Sequence, residues 1–285
     1  MTSIRRILGL VTLVSLLLAA PRAEAQEPNG IHSAMTPRVI ARLRAVLASS
    51  SNARDAFVKI GDSNTANPSF LTCFAGKDHR LGDHADLEET RRFFASRRVE
   101  GRTSFDRVSL SATAGWITRQ PLAGAWSPLL REIAAVEPAF AVVMLGTNDN
   151  RVNGMDAFVE ALPRVVDALI ARGVVPLLST VPPRDDTPGA SGRVPAYNRV
   201  IRALAASRAI PLMDLHAALA TLPKHGLVAD GVHLASAWKS GAPRACWLTA
   251  DGLRHGMNMR NLVVLQALDR ARRFLVEGQS AEVGA

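Results

Sequence analysis

Five short apolar runs, at residues 56–60, 107–110, 139–145, 174–179 and 210–213, alternate with segments of helical periodicity. The helical segments fall at 37–48, 86–96, 129–136, 155–171, 194–207 and 261–275. Strands that alternate with helices build βαβ units, and apolar runs without an in–out alternation belong to strands buried on both faces, so a mostly parallel sheet between helices is expected. Right-handed crossovers then gather the C-terminal ends of the strands along one edge, where sheets of this kind bind ligands. Two long excursions leave that edge, 64–105 and 222–257, each too long to be a simple connection.

The amino terminus has the layout of an export signal: Arg5 and Arg6, an apolar run over 7–20, and Ala23-Glu24-Ala25 as a small-residue cleavage site. That run falls short of the ~20 residues a spanning helix needs, so residues 1–25 read as a signal peptide and not as an anchor. The rest, 26–285, shows no linker and fits one catalytic domain whose site is periplasmic or secreted and is not inserted stably in a membrane. The formal charge of +9 comes from arginines mostly placed at helical spacing beside acids, read as solvated faces. With one tyrosine and no basic stripe interleaved with aromatics, nucleic acid is not an expected partner. The two cysteines, Cys73 and Cys246, are expected to pair once exported, the alternative being two buried thiols.

The chemistry-bearing residues stand at strand ends. Ser63 closes the first run in Gly61-Asp62-Ser63-Asn64, a strand-to-turn junction that holds its hydroxyl at the rim. Such a serine is either a helix N-cap or a nucleophile beside free backbone N–H groups. As a nucleophile it needs a base. Among the seven histidines, His32, His79, His84 and His225 lie in loop context without an acid at a useful offset, and His255 follows Asp251 in a helical run. His233 differs: in Asp230-Gly231-Val232-His233 a turn would bring the carboxylate to the near side of the ring and leave the far nitrogen for Ser63. Asn148, in Gly146-Thr147-Asn148-Asp149, offers either an amide for an oxyanion or an Asx-turn. Gly115 offers either an unobstructed backbone N–H or a positive φ.

Taken in order, Gly61-Asp62-Ser63, Gly115, Gly146-Thr147-Asn148-Asp149 and Asp230-x-x-His233 resemble the four blocks of the SGNH hydrolases, the GDSL esterases and lipases. The resemblance implies a flavodoxin-like three-layer α/β/α sandwich, here with a mostly parallel five-stranded sheet. It also implies a triad of Ser63, His233 and Asp230, and an oxyanion hole from Ser63, Gly115 and Asn148, with Gly124 as the substitute for Gly115. The implied activity is hydrolysis of carboxylic esters through an acyl-enzyme, with short-chain or O-acetyl esters, including those of carbohydrate, as substrates and with no cofactor or metal. Two departures stand out: Asn64 occupies the position after the serine where a hydrophobic residue is common, and Gly115 lacks the usual polar neighbours.

Two rival readings use the same residues. Asp62, Asn148, Asp149, Asp230 and His233 could imitate the oxygen-and-nitrogen site of a metal-dependent phosphoesterase. Alternatively the fold could serve as a non-catalytic envelope binding module. Arg254 and Arg260 are read first as a solvated helix entry and second as a hold for a substrate anion; Trp116, Trp238 and Trp247 sit in rim loops as pocket lining or as packing.

Overall fold

The computed structural model describes residues 30–152 and 154–281; the expected signal peptide lies outside the described residues. Helix α1 (Pro37–Ala48) opens with Thr36, whose hydroxyl accepts from the Val39 N–H, and with proline at its first position, where no N–H is missed. Strand β1 (Ala53–Gly61) leads into the single turn α2 (Ser63–Ala66), followed by α3 (Glu88–Ser96) and α4 (Pro128–Val136). Strand β2 (Pro138–Met144) is buried throughout and feeds α5 (Thr147–Arg151) and α6 (Met155–Ile170). Then come β3 (Val175–Ser179), α7 (Pro188–Arg208), β4 (Leu212–Met213), α8 (Leu215–Ala220), a hairpin of β5 (Trp238–Lys239) and β6 (Ala242–Pro243), and α9 (Gly256–Ala271).

The main sheet runs β1-β2-β3-β4 with every neighbour parallel. Because each strand steps in the same direction, right-handed crossovers place α4, α6 and α7 on one face. Helices α1, α3 and α9 pack over the other, giving three layers. Burial on both faces explains why β2 and β3 are unbroken apolar runs.

The expected fifth strand does not form, so the sheet has four strands among the described residues. Residues 107–112 do run along the outer edge of β1, but they meet it only at a parallel bridge from Gly61 to Ala112. Side chains take over where ladder bonds would be. Ser109 donates its hydroxyl to the Lys59 carbonyl at 2.6 Å, and the Glu132 carboxylate accepts from the Leu110 N–H at 3.0 Å and from Arg107. Val108 is 86 % exposed, so the run has no second sheet face to bury.

Helix α7 also begins earlier than the periodicity indicated, because Thr187 caps the Ala190 N–H and Pro188 starts the helix. The expected disulfide is present: Cys73 is bonded to Cys246 across 173 positions, tying the two long excursions together.

Candidate active site

Asp62, not Ser63, caps α2: its carboxylate accepts from the Asn64 N–H at 3.1 Å. The serine hydroxyl is thereby released from capping and lies 2.8 Å from His233 Nε2. On the other side of the ring, His233 Nδ1 is 2.6 Å from Asp230 Oδ2. The second carboxylate oxygen accepts from the Val232 and His233 N–H groups at 2.8 and 2.9 Å, so the stretch is a turn closed by its own aspartate. Burial pushes the Asp230 carboxyl up, but the His233 and Val232 donors outweigh it and hold it down at about 2. The arrangement therefore keeps an ionised acid against an imidazole whose far nitrogen faces the serine.

What fixes the loop carrying His233 is Asn64. Its buried carboxamide accepts from the Leu234 N–H at 3.1 Å and donates to the Val232 carbonyl at 3.4 Å, bracketing the histidine. The sequence carried a signal for this, namely a polar residue where an apolar one is common. From the opposite side the loop is gripped by residues 184–186. The Asp185 N–H donates to the Gly231 carbonyl at 2.8 Å, and Gly231 sits at φ +68° with so little room that a Cβ would lie 2.6 Å from the Asp186 nitrogen. Arg184, buried, forks onto Asp186 and donates to the Thr147 carbonyl at 2.6 Å, joining this grip to the turn that carries Asn148.

Asn148 donates one amide hydrogen to the Trp116 carbonyl at 2.9 Å, and Asp149 accepts from the Thr118 N–H and hydroxyl. These bonds dock residues 116–118, which directly follow Gly115, against the Asn148 turn. Gly115 is exposed at φ +80°, with open space where a Cβ would stand, as its positive-φ reading requires. Gly124 also has positive φ, at +83°.

Arg260 overturns both expectations made for it. It is neither solvated nor available to a substrate: 1 % exposed, it donates to the Asn64 carbonyl at 2.7 Å and the Thr65 hydroxyl at 2.8 Å and stacks 3.7 Å over Phe70. Burial pushes the Asp62 carboxyl up, countered first by the Arg260 guanidinium and then by the Asn64 N–H. The floor of the serine turn is thus an aspartate and an arginine held out of water. Helical spacing on α9 concealed this, because nothing in the sequence says that the first turn of that helix faces inward.

Several histidines also differ from expectation. His225, read as lacking an acid, meets Asp185 at 2.8 Å, and His32 is buried with its Nε2 3.2 Å from Gln266. The five side chains of the rival metal-site reading are engaged separately: Asp149 with Thr118, Asn148 with Trp116, Asp230 with His233, and Asp62 within the serine turn. Among the described residues no three His, Cys, Asp or Glu side chains converge on one point.

A serine, a histidine and an aspartate hydrogen-bonded in series at the C-terminal rim of a parallel sheet define a serine-hydrolase type of site. The family model of the GDSL-like lipases and acylhydrolases matches residues 60–237, and the chain belongs to that family. It is a serine ester hydrolase. No curated protein matches the sequence. Solved structures that resemble it include a GDSL-like lipase from Bacteroides thetaiotaomicron, at 17 % identity and a TM-score of 0.46, covering 81 % of this chain and 98 % of that one. An acetylxylan esterase from Geobacillus stearothermophilus is similar at 16 % identity and a TM-score of 0.49, covering 77 % and 94 %. A hydrolase from the metagenome of Lake Arreo, Spain, is similar at 18 % identity and a TM-score of 0.46, covering 77 % and 96 %. At these scores the likenesses add nothing to the choice of acyl group or alcohol.

Proposed function

We propose that this chain is an exported esterase that cleaves short-chain or O-acetyl esters, including those of carbohydrate, through an acyl-enzyme on Ser63. The observation that carries the reading is the unbroken series from the Ser63 hydroxyl through His233 to Asp230. His233 Nε2 takes the serine proton as Oγ bonds to the acyl carbon. The carbonyl oxygen, now an anion, is received by the Ser63 and Gly115 N–H groups and the Asn148 amide hydrogen not given to Trp116. The imidazolium, stabilised by the Asp230 carboxylate, passes its proton to the departing alkoxide and the alcohol leaves. Water then repeats the sequence and releases the acid.

The substrate class is supported by the surroundings of the rim. His233 and Asp230 side chains are 41 % and 47 % exposed, an open setting suited to a bulky alcohol. A cleft of about 530 Å³ lies beside α2, its wall mixing Lys59, Thr65, Asn67 and Arg102 with Ala66, Pro68, Val108 and Ala112. Export is supported by the Cys73–Cys246 disulfide, a bond that persists in oxidising compartments.

The test is labelling with a fluorophosphonate together with hydrolysis of p-nitrophenyl acetate. The full chain should label at Ser63 and turn over, and Ser63→Ala should do neither while keeping its circular dichroism. Undiminished turnover by Ser63→Ala would remove Ser63 from the mechanism.

A further inference from the structure

The β5–β6 hairpin carries a cluster of charge that the proposed chemistry does not use. Three cations surround one ring: the Arg80 guanidinium is 4.0 Å from the Trp247 ring centroid, the Arg244 guanidinium 5.4 Å and the Lys239 ammonium 5.5 Å. Arg244 has one acid, Asp78, at 2.9 Å; Arg80 and Lys239 have no carboxylate within ion-pair distance among the described residues. Lys77 is exposed in the same segment as Arg80. Cation–π attraction offsets part of the cost of crowding these groups, but their mutual repulsion is answered by a single aspartate.

The backbone beneath the cluster is also tightly held. The Arg80 N–H donates to the Cys246 carbonyl at 3.0 Å and the Leu248 N–H to the Arg80 carbonyl at 2.7 Å, directly beside the disulfide. Asn258, fully buried, donates to the Arg244 and Trp247 carbonyls at 2.7 and 3.0 Å and accepts from the Ala237 N–H, fastening the base of the hairpin. Fixing the backbone that carries the cations reduces the ordering needed when they bind an anion. Strand pairing of Trp238 with Pro243 and of Lys239 with Ala242 puts Lys239 on the face towards Trp247 and leaves Trp238, 68 % exposed, on the other. A flat exposed ring of that kind stacks on the C–H face of a sugar.

We propose that Arg80, Lys239 and Arg244 around Trp247 form a docking surface for an acidic, carboxylate-bearing polysaccharide, so that the polymer is held while its ester groups reach the Ser63 rim. The proposal rests on the esterase reading above and narrows its substrate to esters on anionic glycans. Position supports it: Lys239 follows His233 so closely in sequence that even a fully extended chain keeps them within about 20 Å. The complementarity is of charge, so binding should weaken as salt screens it.

Binding and catalysis are measured separately, so that failure of one is not mistaken for failure of the other. The full chain carrying Ser63→Ala is titrated with polygalacturonate, with neutral xylan and with phosphatidylglycerol vesicles. Polygalacturonate should bind, more weakly at high salt, and neutral xylan should not. Adding Arg80→Gln and Lys239→Gln should weaken polygalacturonate binding by about tenfold or more. The same double substitution with Ser63 intact should leave p-nitrophenyl acetate hydrolysis unchanged, which establishes that the fold survives. No binding by the parent, equal binding of neutral xylan, or an undiminished affinity in the double variant would each overturn the proposal, as would binding to the vesicles in place of polygalacturonate. If no ester is hydrolysed by the intact enzyme, the esterase reading fails and the binding result still stands.

Discussion

Replacing Asn64 with alanine tests whether the catalytic geometry is imposed by the residue next to the serine. The side chain makes two contacts with the loop bearing His233, a good one from the Leu234 N–H at 3.1 Å and a long one to the Val232 carbonyl at 3.4 Å. The Leu234 contact is buried, so alanine leaves that N–H without a partner, at a cost of about 1 to 3 kcal/mol; the longer contact adds little. For a chain of this size that predicts a fall of roughly 2 to 12 °C in the midpoint of thermal unfolding. The catalytic effect is separable. His233 would lose the bracket on either side of it, and misplacement of a base by as much as about 1 Å can cost up to about 10²-fold in rate. With p-nitrophenyl acetate, kcat should fall by about ten to a hundredfold while KM changes little, because Asn64 is buried and touches no substrate. A variant that unfolds earlier yet keeps kcat within about twofold of the parent would refute the reasoning, and would assign positioning of His233 to the Asp185–Gly231 contact and the Asp230 turn alone.

Asn148→Ala should lower kcat by about 10² to 10³ in the same assay, the loss typical of one oxyanion donor. Asp230→Asn should cost up to about 10⁴ in kcat, because the amide no longer selects the ring tautomer that faces Ser63. Its effect on stability depends on pH with a definite sign: the depressed carboxyl stabilises the folded chain above the ordinary carboxylate range, and that contribution is lost as pH falls through about 2. Thermal midpoints of parent and Asp230→Asn should therefore differ near neutrality and converge towards pH 2. Replacing both cysteines with serine should lower stability by about 2 to 5 kcal/mol by denaturant titration, given the length of chain the bridge closes.

The sequence alone was enough to determine the layering and the order of the chemistry along it. Apolar runs that alternate with helical segments read as strands of a layered sheet, and Ser63 and Asn148 directly follow two of them, which places both on one rim, with the Asp230-x-x-His233 turn joining them from the excursion after the last run. Tertiary structure decided what depended on which side chain reaches which neighbour. The edge run at 107–112 failed to become a strand because Ser109 and Glu132 supplied the partners that a ladder would have used. Asp62, and not Ser63, took the cap, and freed the hydroxyl. Arg260 went beneath the serine turn, although its spacing matched a solvated face, because the Asn64 carbonyl and the Thr65 hydroxyl offered it partners out of water. Periodicity records only which positions are apolar; the partner of a buried polar group is chosen by contacts across long separations in the chain, and those exist only once the layers have closed.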